Sequence, residues 1–299
     1  MNHYDVFCYG EIGVDNIIQV PHLPSPELAA FPTADSYHVG GAAANTALWL
    51  ARFGFDVGLS GNEVGDNWHG QLLWQALQQA PTLDLQHVPR REGARTPFCR
   101  AMVTPDGERS FLIFGYPQAR KAALTTQMLD GARFLALDLY GGDERLQAAR
   151  CAREAGAVTA IGDVVDPDHP ALPLAGIATN SGAYIRQLFP GVDERAHAHR
   201  LQRTSRGIVV VTDGGNEIYT VDRDGTAFAV QPPVVRVVDA TGAGDAFRAG
   251  LLAGLLRGQN LRQSVCWGAA AGSLKVQHAG AATTIPTLDE VAMLAAGLS

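Results

Sequence analysis

The sequence predicts an α/β fold: one domain with a mostly parallel sheet covered by helices on both faces, carrying a small β lid. Three observations point there. Short apolar runs alternate with alanine-rich or amphipathic stretches closed by glycine, first over 4–79 and again from 124 to 212. Around residue 95 this texture gives way to β-branched and aromatic runs that read as a hairpin outside the main sheet. Finally, 299 residues with 46% hydrophobic and 18% charged content suit one large, well-buried core rather than a disordered chain.

The elements follow in order. Tyr4 to Tyr9 is a short apolar run ending at Gly10 and reads as a buried strand; Asn16 to Val20 is a second strand. Pro21, Pro24, Pro26 and Pro32 then punctuate a loop. Gly40-Gly41 precedes a helix over Ala42–Phe53, closed by Gly54. Val57–Ser60 is a strand, and a polar turn over 62–67 leads to a helix over Gly70–Gln79; Trp68 and Trp74 bracket it and are read as core packing, with Trp68 close to the expected sugar region. Thr96–Val103 and Arg109–Phe114 flank the turn Thr104-Pro-Asp-Gly107, with Pro at the second position and Gly at the fourth. With the strand at 16–20, this hairpin forms a lid over about 14–38 and 95–116. Phe134–Asp138, Glu144–Ala155 and Val158–Ile161 repeat strand, helix, strand. Ile177–Thr179 is a brief strand before a helix over Ser181–Leu188. Asp193 caps a helix closing near Gly207, in which His197 and His199 read as a solvated face. Ile208–Thr212 is a strand, and 217–221 with 226–230 make a meander.

Composition excludes several classes of function. Twenty-three basic against 30 acidic residues give a net charge of −7, which leaves no general footprint for nucleic acid. No apolar run approaches a membrane span, and the N-terminus carries no basic, apolar leader, so a cytoplasmic location is expected. Cys8, Cys99, Cys151 and Cys266 lie far apart without a CxxC pair and read as free thiols rather than zinc ligands.

The segment richest in chemistry is 234–250. A β-branched run, Val234 to Val238, is expected to be a strand that enters the turn Gly242-Ala-Gly244, with a helix starting at Asp245. Amide N–H groups at a helix start, with the positive end of its dipole, make an anion site. A carboxylate there adds a proton acceptor, and phosphoryl transfer to an alcohol needs that pairing. An aspartate at a helix start is also an ordinary N-cap, so the pairing alone decides little. No GxxxxGK[ST] exists, and Phe247 stands where a dinucleotide fingerprint has its third glycine.

Over its whole length the chain resembles the ribokinase-like, or PfkB, sugar kinases. Asp239-Ala-Thr-Gly-Ala-Gly-Asp245 is similar to that family's C-terminal signature, and Gly40-Gly41-Ala-Ala-Ala-Asn45 to its N-terminal one. Gly65-Asp-Asn-Trp-His-Gly70 and Gly10-Glu-Ile-Gly-Val-Asp15 complete the set in the right order. The resemblance implies a three-layer α/β/α sandwich with a lid closing over the sugar. It implies Asp245 as catalytic base and Gly242, Ala243 and Gly244 as anion hole. Asp15, Gly41 and Asn45 are then the positions that bond sugar hydroxyls. ATP and Mg2+ are the implied cofactors, with K+ in a loop made by Asp239, Thr241, Thr284 and the carbonyls of Lys275, His278 and Gly280. Lys275 itself would lie near phosphate or snorkel at the surface. Separately from the resemblance, a lid with an exposed sheet face often pairs with a second copy, so the sequence allows a homodimer through the lid.

On the nucleotide side, Thr212 and Gly214 resemble the family's TxGxxG loop, though Glu217 replaces its last glycine. His278 and Gly280 are placed beside the nucleotide. The family's NxxE motif starts at Asn180 or Ser181, but Ala183 or Tyr184 stands where its glutamate belongs, leaving Asp163 or Asp166 to substitute.

Ala42 follows the Gly-Gly pair where ribokinases carry lysine, and Leu139 or Tyr140 replaces a sugar-contacting carboxylate, so ribose is disfavoured. A ketose-like sugar is favoured, with sugar acids and nucleosides open. Arg100 and Arg109 face solvent or an anionic substrate, solvent being preferred. The reading is an ATP-dependent kinase of a hydroxymethyl group; a non-catalytic ligand-binding protein and a nucleoside kinase are the alternatives.

Overall fold

The computed structural model describes residues 3–106 and 109–298; Gly107, which closes the expected turn, lies outside them. The chain opens with β1 (Val6–Gly10), β2 (Gly13–Gln19), β3 (Ala34–Gly40) and helix α1 (Ala42–Arg52). Then come β4 (Val57–Gly61), β5 (Val64–Gly65), α2 (Trp68–Leu77), β6 (Leu83–Asp84), β7 (Arg90–Arg91) and the hairpin β8 (Phe98–Val103) and β9 (Arg109–Phe114). The second half runs β10 (Phe134–Asp138), α3 (Asp143–Ala155), β11 (Val158–Gly162), β12 (Ile177–Ser181), α4 (Gly182–Leu188), α5 (Glu194–Ser205), β13 (Ile208–Thr212), β14 (Ile218–Val221) and β15 (Ala227–Val230). Helices α6 (Ala243–Leu256), α7 (Leu261–Lys275) and α8 (Leu288–Ala295) end it.

A nine-stranded sheet has the order β15-β14-β13-β12-β11-β10-β1-β4-β6. It is parallel from β6 to β13 and antiparallel only through the β13–β14–β15 meander. β1 lies well inside it and shows why both faces must be covered. Val6 and Cys8 pack into the core under α1, α6 and α7, while Phe7 and Tyr9 pack into a second core under α3 and α5. Successive strand side chains point to opposite faces, so a strand buried on both reads as an unbroken apolar run. Trp49, fully buried on α1, donates from Nε1 to the carbonyl of Ala281 at 3.0 Å and ties α1 to the loop after α7.

The lid is a separate four-stranded sheet, β3-β2-β8-β9. Its root is β1 itself, continued into β2 through Glu11 and Ile12. Asn62 clamps that junction: its Oδ1 accepts from Ile12 N, and its Nδ2 donates to Ile12 O, both at 2.8 Å. Asp15 thereby falls between His38 on β3 and Cys99 on β8.

Four expectations change. The proline-rich loop after residue 20 returns as β3, because the lid supplies β2 as a partner for a segment with little apolar pattern of its own. Residues 231–239 are not a strand: Pro232 and Pro233 lack N–H donors, and the run lies as irregular chain with Val234 97% exposed. His197 is buried, its Nε2 2.8 Å from the carbonyl of Val165. Trp68 is largely exposed and packs edge-on to Tyr37. The four cysteines are free, as expected.

Candidate active site

The first turn of α6 forms one wall of a cleft. Gly242, its N-cap, has φ 76°, and a side chain there would set a Cβ 2.4 Å from that of Ala281. Left-handed backbone and close approach both demand glycine. A helix's leading N–H groups have no acceptor within the helix and carry the positive end of its dipole. Here that turn, Gly242 to Gly244, lines a cavity of about 360 Å³ with Asp245.

Asp245 is held by a residue 200 positions earlier. Asn45 on α1 donates from Nδ2 to Asp245 Oδ2 at 3.0 Å. Arg248, one turn along α6, keeps Nη1 3.9 Å from Oδ1, too far for a hydrogen bond. Burial pushes the Asp245 carboxyl up; Arg248 and the Asn45 hydrogen bond pull it down, and it lies at about 6. Such a group is ionised at neutral pH yet more basic than a free aspartate. Asp245 thus lines the cleft between the Asn45 amide, from which it accepts, and the Arg248 guanidinium 3.9 Å away.

Asn45 Oδ1 is buried without a hydrogen-bond partner, which leaves it an acceptor for a hydroxyl. Asp15 is buried on β2, and burial, then the charges of Asp245 and Asp239, raises its carboxyl to about 7. Gly41, at φ 89°, crosses so near the β1–β2 junction that a Cβ would sit 2.4 Å from the carbonyl of Glu11; its own carbonyl accepts the Asn45 amide at 2.9 Å. Lid, α1 and α6 thus converge on one carboxylate.

Several residues of the cleft were not foreseen. Arg248 is only 5% exposed, and its Nε donates to Thr179 Oγ1 at 3.3 Å. Its signal was a guanidinium three residues after Asp245, on the same face of an otherwise apolar helix. Arg109 and Phe111 on β9 reach the cleft from the lid, so Arg109 does not simply face solvent. Arg100 does, lying over the Phe98 ring on the other face of the lid sheet. Asn180 lines the cleft with both side-chain polar atoms buried and unpaired, whereas Ser181 is occupied as the N-cap of α4. In the register that begins at Asn180, Ala183 stands in the glutamate's place. Asp163, at φ 56°, also lines the cleft; it accepts from Ser181 N at 3.1 Å and from the Tyr140 hydroxyl at 2.6 Å. Asp166 is turned into an exposed loop, accepting from Asp168 N.

A second groove, about 250 Å³, adjoins the first and shares Thr212, Ala240, Ala243, Gly244 and Phe247 with it. Its walls are apolar: Val234, Val235 and Val237 from the irregular segment, and Phe247, Ala269 and Val276 from α6 and the end of α7. Thr212 and Gly214 stand on its rim. His278 and Gly280 do not. The His278 carbonyl accepts from Lys275 Nζ at 3.3 Å, and Gly280 N donates to Asp239 Oδ2 at 2.9 Å.

Lys275 neither snorkels nor approaches the cleft. It is 1% exposed; its Nζ donates to the Asp239 carbonyl at 2.6 Å and lies 3.6 Å from Asp239 Oδ2. Thr241 N donates to the other Asp239 oxygen at 2.8 Å, while Thr284 is exposed. Burial pushes the Asp239 carboxyl up, but Lys275 and the N–H groups of Thr241 and Gly280 outweigh it, and it lies below the ordinary value.

The arrangement joins a basic carboxylate, a helix-start anion site and an apolar slot, which suits proton removal from an alcohol beside a charged group in transfer. Comparison with known proteins agrees in kind. The family model described as pfkB family carbohydrate kinase matches residues 4–288. A probable chloroplastic fructokinase-6 of Arabidopsis thaliana is 27% identical, the match covering 96% of this chain and 81% of that protein. An ATP-dependent ribose-1-phosphate kinase of Halopiger xanaduensis is 30% identical, over 96% of each chain. Among solved structures, Arabidopsis thaliana ribokinase complexed with ribose and ATP superposes with a TM-score of 0.82 at 21% identity, covering 98% of this chain and 99% of that one.

Proposed function

The chain belongs to the pfkB family of carbohydrate kinases, and from that premise we propose that it transfers the γ-phosphoryl group of ATP to a hydroxymethyl group of a small ketose-like sugar, with Asp245 as general base. That the chain is a sugar or nucleoside kinase follows from its relatives; the acceptor and the base are the reading argued here. The observation that carries it is Asp245, held by Asn45 and ionised near neutrality, in one cleft with the first turn of α6.

The acceptor hydroxyl lies against Asp245, which takes its proton as the oxygen attacks the γ-phosphorus, the bond from that phosphorus to the β–γ bridging oxygen breaks and ADP leaves. Asn45 Oδ1 and Asp15 orient the remaining hydroxyls. The amides of Gly242, Ala243 and Gly244 receive the charge of the phosphoryl oxygens, strengthened by the dipole of α6. Arg248 and Arg109 add positive charge to the same cleft. The adenine moiety fits the apolar slot beside Val234 and Phe247, with Thr212 and Gly214 at the phosphate end. Mg2+ carried with ATP would neutralise phosphate charge; the unpaired Asn180 amide and Asp163 are the residues suited to its hydrated shell, with no carboxylate from the expected NxxE position. Lid closure through β9, an edge strand with Leu112 half exposed, would exclude water and offer a second copy a pairing edge.

Asp245→Asn tests the reading against a panel of ketoses, aldoses, sugar acids and nucleosides with ATP and magnesium. The expected result is sugar-stimulated ATP turnover in the wild type and a loss of about 10²–10⁴-fold in kcat in the variant, with KM little changed. A fully active Asp245→Asn enzyme would remove the assigned base. The absence of turnover with every acceptor would favour a ligand-binding protein.

A further inference from the structure

We propose that the ammonium group of Lys275 is a tethered monovalent cation, holding the segment that carries the anion hole and leaving no place or need for free K+. The expected cation loop comprises Asp239, Thr241, Thr284 and the carbonyls of Lys275, His278 and Gly280. A free cation does not fit it. Lys275 Nζ already stands among these oxygens, donating to the Asp239 carbonyl at 2.6 Å and the His278 carbonyl at 3.3 Å, with Asp239 Oδ2 at 3.6 Å. Gly280 turns its N–H rather than its carbonyl toward Asp239, and Thr284 is exposed. The ion's intended partners have thus been divided between an ammonium and an amide.

The burial argues the same way. A lysine 1% exposed persists only with its charge compensated, and here the compensation is one carboxylate and two carbonyl dipoles. The amine sits at the end of α7, a fifteen-residue helix packed along α6, so its position is set by the core. A tethered charge loses less translational freedom than a bound ion when it takes up its place, and it cannot be diluted away. Lys275 acts through Asp239: the carboxylate it fixes also accepts the Thr241 amide, at the entry to the Gly242 turn. It is a positioning residue, and it touches no reacting atom.

The effect on turnover rests on the kinase reading; replacement of the ion does not, and melting curves without ATP or sugar separate the two. In about 100 mM potassium, sodium or tetramethylammonium chloride, wild-type melting temperature should agree within about 1 °C. Lys275→Ala removes the ammonium and leaves a space of similar size; its melting temperature should fall, then rise by about 3 °C or more in potassium relative to tetramethylammonium. Lys275→Met fills the space with an uncharged chain and should show no such response. In the turnover assay, Lys275→Ala should lose at least about tenfold in kcat and recover it with potassium but not sodium. The proposal is overturned if wild-type melting or turnover rises with potassium, a result that needs no variant to fold. It is equally overturned if Lys275→Ala folds and ignores potassium. Should no acceptor be phosphorylated, the kinase reading fails while the melting curves still decide the ion.

Discussion

At the scale of single residues, the proposed chemistry rests on three side chains from two distant parts of the chain: Asn45 on α1, and Asp245 and Arg248 on α6. The carboxyl of Asp245, at about 6, must be ionised to accept a proton, so kcat should fall as pH drops through about 6 and level off above it. Arg248 and Asn45 both hold that value down, Arg248 the more strongly. Arg248→Met should therefore move the acidic limb upward in pH and lower kcat; a limb that stays put would show that the guanidinium does not act on the base. Asn45→Ala should shift it in the same sense by less and raise the sugar KM, since Asn45 Oδ1 also awaits a donor. Asp245 and Asn45 were legible from the motifs around them. Arg248 left only its place on the face of Asp245 as a signal, and Lys275 left none for its burial, since packing across the fold decides which exposed-type side chain goes inside.

Among the elements, the entry to α6 is tightly constrained. Gly242 needs a left-handed backbone and has Ala281 against it. Gly242→Ala should cost roughly 1–3 kcal/mol of stability and depress kcat together, measured by thermal unfolding and steady-state turnover. A variant as stable and as active as wild type would show that the turn tolerates rearrangement. The segment before it teaches the opposite lesson. Val234 to Val238 carry strand-like side chains, yet two prolines deny them a ladder, and their apolar surface becomes the wall of a groove instead. Propensity described the side chains correctly and the element wrongly. β3 shows the converse, a polar and unpromising run drawn into a sheet because β2 lay beside it.

For the molecule as a whole, the site is assembled at a cost in stability. Asp15 lies at about 7 and Glu11 at about 8, both raised first by burial. In the folded state each holds its proton more tightly than in the unfolded chain, where the ordinary values are 3.8 and 4.5. Their contribution to stability is thus greatest at acid pH and declines as pH rises from about 4 through 7 for Asp15 and through 8 for Glu11. Asp15→Asn removes one such cost: its melting temperature at pH 7.5 should exceed wild type by about 2–5 °C, with turnover largely lost and the gain absent near pH 4. A variant less stable than wild type at pH 7.5 would mean that the Asp15 carboxylate is stabilised by contacts beyond its burial.

The sequence alone determined the layered α/β architecture, the separate lid and the line of motifs from Asp15 to Asp245, because each is written in local pattern: apolar runs, capping glycines and turn residues whose meaning does not depend on distant partners. Tertiary structure alone decided which charges lie inside. The pairing of Asn45 with Asp245, the placing of Asp163 in the cleft and Asp166 outside it, the inward turn of Arg248 and the ammonium of Lys275 beside Asp239 all depend on what packs against a side chain across the fold, and desolvation by that packing, rather than residue type, sets where a charge sits.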